Sequence, residues 1–356
     1  MAEAKDAPKP ELHSITWESI RRALNCTRTN EGAIDYDKVR RERLAAVEAH
    51  TNRPAIVYAT DFLNANKTAH APAGLFQVNA ADMQGLAEVT RGLEADAVDL
   101  ILHSPGGSPE AAESIVSALR AQFKSVRVLV PVMAKSAATM IALAADEILM
   151  PITAELGPID PQFLLSDGRG GERMTPAQAI IDEVERAKQA VTNQQPDTIV
   201  WLSQVQGLPP GLYQQCLNAV ALSKDLVGRW VEQYMLAGDA NAKQIAAAIV
   251  NYLGDHNQFR SHGRRVDIAT LAGKGAKVRD IRTIDGELWR RLEEFWYTGR
   301  PAMGVGDGPD RVVAAIGRGQ GRDCARRVRQ SAGTGGRQQG NPCAAWRSDG
   351  SPTALR

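Results

Sequence analysis

Val98-Asp-Leu-Ile-Leu-His-Ser-Pro-Gly-Gly107 is an apolar run that ends abruptly in a turn. Residues 98–103 predict a buried strand, and the Ser-Pro-Gly-Gly stretch predicts where that strand stops. Two adjacent glycines let the backbone turn sharply and expose N–H groups with no Cβ in the way. The sequence therefore predicts either a plain tight turn or a turn that holds an anion or a developing oxyanion.

Short apolar strands and amphipathic helices alternate on both sides of this turn. Further strands are predicted at residues 54–60, 126–131 and 147–150, and helices at residues 80–93, 110–123 and 137–145. Strands that are apolar almost throughout and are separated by helices are typical of an α/β fold whose largely parallel sheet is buried on both faces. Residues 175–260 are expected to be helical and residues 265–298 mixed.

The composition is that of a globular protein. The 356 residues include 42 Lys and Arg, 41 Asp and Glu, and 44% hydrophobic residues. This near-neutral balance argues against nucleic-acid binding by the core, because phosphate binding needs a clustered basic excess. The longest apolar stretch, residues 140–145, is far shorter than the roughly 20 residues that a membrane-spanning helix needs. We therefore expect neither nucleic acid nor a membrane as a partner of the core.

The N-terminus and the cysteines indicate a cytoplasmic location. No apolar segment follows the charged residues 1–10, so we expect no secretory signal. The cysteines have no close pair, which fits reduced thiols better than disulfides or a zinc site; they are Cys26, Cys216, Cys324 and Cys343. The sequence also lacks a dinucleotide-binding signature, and we expect no cofactor and no metal.

Four segments are predicted along the chain. Residues 1–50 are expected to form an N-terminal arm, residues 51–195 the main α/β domain, and residues 196–298 a mainly helical extension. Residues 299–356 are rich in Gly and Arg and contain no Lys, and no helical or strand period continues past Ile316. We expect this tail to be disordered. It is either an RNA-binding segment or an out-of-frame translation of a GC-rich gene; we favour the second and assign the tail no function.

A second candidate segment, Met133-Ala-Lys-Ser-Ala-Ala-Thr-Met140, also directly follows a predicted strand. Ser136 stands where the next helix begins, among residues too small to crowd it. A helix N-terminus stabilises negative charge, so the N–H groups of Gly106, Gly107 and Ala137 can surround one oxyanion. The alternative is that Ser136 is an ordinary helix N-cap.

The order of these segments resembles the ClpP/crotonase-like superfamily, in which strand–helix units form a spiral, a Gly-Gly turn supplies the oxyanion hole, and a serine heads the next helix. Residues 134–148 and Leu156-Gly-Pro-Ile-Asp-Pro-Gln162 narrow this resemblance to the serine dehydrogenase proteinase family, which is related to ClpP and to signal peptide peptidase A. The resemblance covers residues 50–165, with a weaker similarity at residues 261–264. The chain departs from the family pattern at Ala138, where Gly is common, and at Lys135, where an uncharged residue is usual.

A nucleophilic serine needs a base, because its hydroxyl is unreactive at neutral pH. One candidate is Lys188, since the resemblance to signal peptide peptidase A implies a lysine well downstream of the serine. Lys188 is expected on the apolar stripe of a helix that begins near Thr175. Burial there would lower the pKa of its amine from the usual value of about 10.4. The alternative is a lysine whose stem covers the edge of the core while its amine stays in water.

The other candidate is a triad of Ser136, Asp160 and His262, in the Ser–Asp–His order that the family resemblance implies. An Asp partner fixes the tautomer of a histidine, and an ordinary histidine already titrates near neutral pH. Asp160 can instead form a turn before Pro161. His262 can be a simple loop residue, with His256 as a reserve. We favour the triad over Lys188.

These observations predict an α/β protein of the ClpP/crotonase-like type with a helical C-terminal extension. The resemblance implies a serine peptidase that forms an acyl-enzyme on Ser136, acts on a peptide or protein substrate, and assembles into a homo-oligomer. Two alternatives stay open. The first is a catalytically inactive scaffold that binds peptides or partner proteins. The second is a crotonase-type acyl-CoA enzyme that uses Asp160 or Glu155 as its carboxylate.

Overall fold

The computed structural model describes residues 15–166 and 171–303, and the backbone of two further strands at residues 311–319 and 322–329. The strands are β1 (Ala55–Thr60), β2 (Ala97–His103), β3 (Ser125–Leu129), β4 (Met133–Ala134), β5 (Glu147–Met150), β6 (Glu155–Leu156), β7 (Gln162–Ser166), β8 (Glu172–Pro176), β9 (Val278–Asp280), β10 (Arg311–Gly319) and β11 (Arg322–Arg329). The α-helices are α1 (Trp17–Cys26), α2 (Tyr36–Thr51), α3 (Ala65–His70), α4 (Asp82–Thr90), α5 (Pro109–Gln122), α6 (Ala137–Leu143), α7 (Ala177–Thr192), α8 (Thr198–Val205), α9 (Leu212–Trp230), α10 (Ala242–Leu253), α11 (His256–Phe259), α12 (Ile268–Gly273), α13 (Ile281–Ile284) and α14 (Gly286–Met303).

The central sheet has the strand order β11-β10-β1-β2-β3-β5-β9. Strands β1, β2, β3, β5 and β9 run parallel to one another, and β10 pairs with β1 in the antiparallel sense. Helices α4, α5 and α6 connect successive parallel strands, as parallel pairing requires. The predicted α/β fold with a parallel sheet is confirmed, with the ends of individual elements shifted by a few residues.

Side chains alternate between the two faces of the sheet, and helices cover both faces. Ile56, Leu100 and Val128 face one core, which is covered by α4, α5, α6, α9 and α10. Ile101 and Leu129 face a second core, which is covered by α2 and α14. Each of these fully buried aliphatic side chains stabilises the fold by about 1.5–3 kcal/mol. Among the described helices, none is both long enough and apolar enough to cross a bilayer.

The helices that cover the sheet come from both ends of the chain, so parts of the predicted arm and of the predicted helical extension pack against the main domain. Leu44 and Val47 of α2 are buried against Trp296 of α14, so this part of the predicted arm belongs to the second core. Helices α9 and α10 belong to the first core, and β9 extends the sheet beside β5. The segment predicted as a helical extension is therefore packed into the main domain.

The segment predicted to be a disordered tail contains regular structure in its described part. Helix α14 continues to Met303, β10 pairs with β1, and β11 pairs with β10. The register places Ala55 beside Ile316 and Thr60 beside Arg311. A composition rich in Gly and Arg did not predict these strands, because their pairing uses backbone groups of β1 rather than an apolar side-chain period. Residues 330–356 lie outside the described residues, and the origin considered for the tail stays a prediction.

Candidate functional site

A short ladder of backbone pairs beside the central sheet connects the segments that carry the candidate residues. Ser104 bridges Ala134, Ala134 pairs with Leu156 between β4 and β6, and Leu156 bridges Val266. Leu156 and Val266 exchange two N–H···O bonds of 3.0 Å. We call these four residues the site ladder. The Gly-Gly turn, Ser136, Asp160 and the His262 loop each lie within a few residues of one member of the ladder.

The Gly-Gly turn lies directly against Ser136. Gly106 has φ +98° and Gly107 has φ +155°, values that side-chain-bearing residues rarely adopt. A Cβ on Gly106 would stand 2.6 Å from both the Lys135 carbonyl oxygen and the Ser136 Cβ. A Cβ on Gly107 would stand 2.3 Å from the Val78 carbonyl oxygen. Glycine is therefore required at both positions, because the two backbones approach too closely for any side chain.

Ser136 has a backbone conformation that is rare for serine, with φ 50° and ψ −122°. It precedes α6, yet its side chain makes no capping hydrogen bond. The N-cap alternative is therefore wrong. Within the described residues the Ser136 hydroxyl has no hydrogen-bond partner at all. Strain of about 1–3 kcal/mol at a non-glycine residue is concentrated at functional sites, which makes Ser136 a functional candidate.

Two backbone N–H groups beside Ser136 are available to a ligand. Among the described residues, the amides of Gly107 and Ala137 donate no hydrogen bond. Ala137 is the first residue of α6, and the first amides of a helix have no intrahelical acceptor. Gly106 differs from the prediction, because its N–H donates to Ser104 Oγ at 3.2 Å. Gly106 thus provides the close approach of the turn, and Gly107 and Ala137 provide the free donors.

Asp160 is buried and binds two histidine rings. His262 Nδ1 lies 2.7 Å from Asp160 Oδ1, and His256 Nδ1 lies 3.0 Å from Asp160 Oδ2. The Asp160 side chain is only 3% exposed. A carboxylate oxygen accepts hydrogen bonds, so each ring donates from Nδ1, and in the Nδ1–H tautomer Nε2 keeps its lone pair. This tautomer is the one that a histidine needs to accept a proton through Nε2.

The loop that carries His262 lies beside the turn that carries Ser136. Lys135, which precedes Ser136, donates a hydrogen bond from Nζ to the Arg264 carbonyl oxygen at 3.4 Å. No hydrogen bond between the described residues joins the Ser136 hydroxyl to the His262 ring. Hydrogen bonds between catalytic groups are often long in ligand-free structures and shorten when substrate binds. Asp160 and His262 are thus in contact with each other, and the loop of His262 lies next to the turn of Ser136.

Thr139 links the helix of Ser136 to the segment of Asp160. Its buried hydroxyl donates to the Ala134 carbonyl oxygen at 2.7 Å and accepts from the Gly157 N–H at 2.9 Å. The structure adds Thr139 and the contact between His256 and Asp160 to the predicted site. The available signal for Thr139 was its place about one helical turn after Ser136 in an otherwise apolar stretch. The partner of His256 had no local signal, because it lies far away in sequence.

Lys188 lacks the properties of a general base. Its side chain is 53% exposed and forms an ion pair with Glu185 at 2.9 Å. The hydrogen bond that Lys188 Nζ donates to Glu185 Oε1 raises the pKa of Lys188 from its usual value, so the amine stays protonated at neutral pH. The buried stripe of α7 runs through Ala187 and Ala190 and leaves Lys188 beside it. The expectation of a desolvated lysine is wrong, because the predicted stripe was displaced by one position.

The groups around Ser136 are of the kind that can take part in acyl transfer. In residues 15–166 and 171–303, no group of three or more His, Cys, Asp or Glu side chains is placed to hold a metal ion. The site offers a hydroxyl without a partner at Ser136, two free N–H donors beside it, and a carboxylate–histidine pair in the next loop. An oxyanion formed on a carbonyl bound to Ser136 would be stabilised by those two donors.

We predict that Gly106→Ala destabilises the protein more than Gly32→Ala. Both glycines have positive φ, but nothing lies within 4 Å of a Cβ on Gly32. Backbone strain alone costs about 1–2 kcal/mol in each variant, and the clash with Lys135 and Ser136 adds about 1–3 kcal/mol in Gly106→Ala. Urea denaturation followed by circular dichroism measures both free energies of unfolding. Equal losses in the two variants would contradict the close approach of the Gly-Gly turn to Ser136.

Two proteins from Methanocaldococcus jannaschii, both named as uncharacterized proteins, are similar to parts of this chain. One is 37% identical over 148 residues, which cover 38% of this chain and 48% of the relative. The other is 47% identical over 66 residues, which cover 18% of this chain and 23% of the relative. The chain thus spans less than half the length of either relative. Among solved structures, a mutant of the membrane-bound stomatin-specific protease 1510-N matches 35% of this chain and 64% of its own at 22% identity, with a TM-score of 0.22.

A protein-family model covers the central part of the chain. Residues 82–205 match the family described as ClpP-like SDH-type serine proteinase. The matched segment begins at α4 and includes the Gly-Gly turn, Ser136 and Asp160, whereas His262 lies outside it. The resemblance predicted from the sequence motifs is confirmed: residues 82–205 carry the sequence pattern of the ClpP-like SDH-type serine proteinases.

Proposed function

We propose that the protein is a serine peptidase that cleaves peptide bonds through an acyl-enzyme on Ser136. The observation that carries this proposal is the state of Ser136 itself. It is held at φ 50°, its hydroxyl caps no helix, and the free amides of Gly107 and Ala137 lie at its turn. A purely structural serine would have no reason to be strained and unbonded at once. The match to a serine proteinase family supports the same reaction class.

The proposed reaction proceeds in two stages. The Ser136 oxygen attacks the carbonyl carbon of the peptide bond, and the Ser136 proton passes to Nε2 of His262. The N–H groups of Gly107 and Ala137 stabilise the resulting oxyanion, each by about 3 kcal/mol in the transition state. His262 then gives its proton to the departing amine as the carbon–nitrogen bond breaks. Water, activated by the same ring, hydrolyses the ester and restores the Ser136 hydroxyl.

Asp160 is proposed to orient His262 and to stabilise its protonated form. The 2.7 Å bond between Asp160 Oδ1 and His262 Nδ1 supports this role. His256 occupies the other carboxylate oxygen at 3.0 Å and so fixes the rotation of the Asp160 side chain. We assign the base to His262 rather than His256, because Arg264 joins the His262 loop to Lys135, next to Ser136.

The acyl-CoA alternative has less support than the peptidase. It needs an available carboxylate, and both candidates for that carboxylate are engaged. Glu155 forms an ion pair with Lys135 at 3.1 Å, and Asp160 binds both His256 and His262. The scaffold alternative predicts that Ser136 does not react at all, which an active-site label can test.

We predict that a fluorophosphonate labels the wild-type protein on Ser136. Ser136→Ala and Ser136→Gly should take up no label, because the nucleophilic oxygen is gone. Ser136→Gly should also be more stable than Ser136→Ala by about 1 kcal/mol, because glycine adopts φ 50° without strain. Mass spectrometry of the labelled peptide and urea denaturation measure the two effects.

Ser114→Ala is the matched control, because Ser114 lies exposed on α5 and bonds only the backbone of its own helix. This variant should label like the wild type. Label on Ser136→Ala at the wild-type rate would refute the nucleophile assignment. A wild-type protein that takes up no label would support the scaffold, and turnover of an acyl-CoA without labelling would support the acyl-CoA enzyme.

We predict that His262→Ala slows labelling by about 10²–10⁴-fold, the usual contribution of a general base. His256→Ala should keep more of the rate, because Asp160 retains its bond to His262. A Lys188 base would make the labelling rate rise only at strongly alkaline pH, since the hydrogen bond to Glu185 raises the pKa of that amine. If His256→Ala abolished labelling and His262→Ala did not, the base would be His256 and not His262.

A homo-oligomer is the proposed assembly, and the cytoplasm is the proposed location. Exposed apolar side chains on α8 and on the β7–β8 hairpin support the assembly; they include Ile199 at 81%, Val200 at 55%, Leu202 at 45%, Leu164 at 56% and Met174 at 47%. Apolar surface of this kind often marks protein–protein contacts. The free thiols of Cys26 and Cys216 support a reducing location.

We predict that Ile199→Asp lowers the oligomeric state, because it places a charge within this apolar surface. Ser114→Glu adds a charge of the same sign on α5 and should leave the assembly unchanged. Sedimentation velocity at matched concentrations measures the assembly of both variants and of the wild type. A monomeric wild type would refute the proposed oligomer, and an unaltered Ile199→Asp oligomer would place its interface elsewhere.

A further inference from the structure

Lys135 is the charged residue at which the chain departs from the family pattern, and its ammonium contacts three oxygen atoms of neighbouring residues. Its side chain is only 13% exposed and forms an ion pair with Glu155 Oε1 at 3.1 Å. Lys135 Nζ also donates to the Leu156 carbonyl oxygen at 3.2 Å and to the Arg264 carbonyl oxygen at 3.4 Å. An ammonium has three N–H donors and no lone pair. The ammonium of Lys135 therefore directs its donors at neighbouring segments of the chain.

The acceptors of Lys135 belong to the two segments that carry the other candidate groups. Glu155 and Leu156 form β6, which leads into the segment of Asp160. Arg264 follows His262 by two residues in the same loop. One side chain, attached next to the nucleophile, thus binds both neighbouring segments of the site ladder.

Gly157 provides the space through which the Lys135 stem passes. A Cβ on Gly157 would stand 2.8 Å from Lys135 Cδ, closer than atoms of two side chains approach. The Gly157 N–H is held by Thr139 Oγ1, so this stretch of backbone cannot easily move away. The Lys135 stem therefore passes directly over the Gly157 backbone.

We propose that Lys135 is a positioning residue that holds the loop of residues 261–266, and hence the His262 ring, against the turn of Ser136. The inference rests on the proposed peptidase function. Lys135 acts through His262 and touches no reacting atom. Its loss leaves the nucleophile and the oxyanion donors in place and lets the base move away. A displacement of about 1 Å of a reacting group can cost about 100-fold in rate.

Hydrogen exchange tests whether Lys135 holds the loop, independently of any catalysis. In Lys135→Met, the amides of residues 261–266, including Val266, should exchange at least tenfold faster than in the wild type, while the amides of β1 to β3 stay unchanged. Lys124→Met is the matched control, because Lys124 is 81% exposed and pairs only with Asp96 at the surface. Unchanged exchange in residues 261–266 would overturn the proposal.

A double-mutant cycle tests whether Lys135 acts through His262. Lys135→Met should slow fluorophosphonate labelling by about tenfold to a hundredfold in the wild-type background. In the His262→Ala background the same change should alter the rate by less than twofold, because no base remains to be positioned. Equal slowing in both backgrounds would show a general structural role and overturn the proposal.

The two tests separate this inference from the peptidase proposal. A wild-type protein that takes up no label refutes the peptidase, and the exchange measurement alone then decides whether Lys135 holds the loop. If Lys135→Met does not fold, Lys135→Met with Glu155→Leu replaces it in both tests, since this pair leaves no unpaired charge. Thermal melting monitored by circular dichroism shows which variant to use.

Discussion

The backbone pairing of Ser104, Ala134, Leu156 and Val266 is the constraint on which the rest of the site depends. The parallel strands of the central sheet end on the same side of the molecule. The site ladder adds one further row of backbone pairs on that side. Each chemical group follows or precedes the ladder by only a few residues, so its position is set by backbone bonds rather than by loop conformation. Functional groups supported by paired backbone are placed more accurately than groups on free loops.

The parts of the site that local sequence determines were predictable. Apolar strand runs located β2 and β3, and the Gly-Gly turn and Ser136 follow strands at positions that only small residues tolerate. The parts that depend on distant partners were not. The exposure of Lys188 is set by which neighbours cover α7, and a helical stripe displaced by one position reversed the prediction. The packing of α2 in the second core was also not predicted, because its partner α14 lies near the other end of the described chain.

Some polar groups of the site have hydrogen-bond partners, and others have none. This difference separates the groups that hold segments together from the groups proposed to react. Thr139, Lys135 and the Gly106 amide all have hydrogen-bond partners, and each partner fixes a neighbouring segment. In the described residues, the Ser136 hydroxyl and the Gly107 and Ala137 amides have none. Buried or half-buried polar groups without partners are costly, and structures usually avoid them. Here the unbonded groups lie at or beside one turn, which is why the proposed reaction is centred there.

The ladder also fixes when the site is completed during synthesis. A chain made from its N-terminus carries Ser104, Ala134 and Leu156 long before Val266 leaves the ribosome. His262 arrives with that last member, and β9 closes the sheet beside β5 later still. Under the proposed function, a chain that is still being made and ends before residue 262 contains the nucleophile without its base. Under the proposed function, a growing chain cannot attack its own unfolded segments or those of its neighbours, because the order of translation withholds its reactivity.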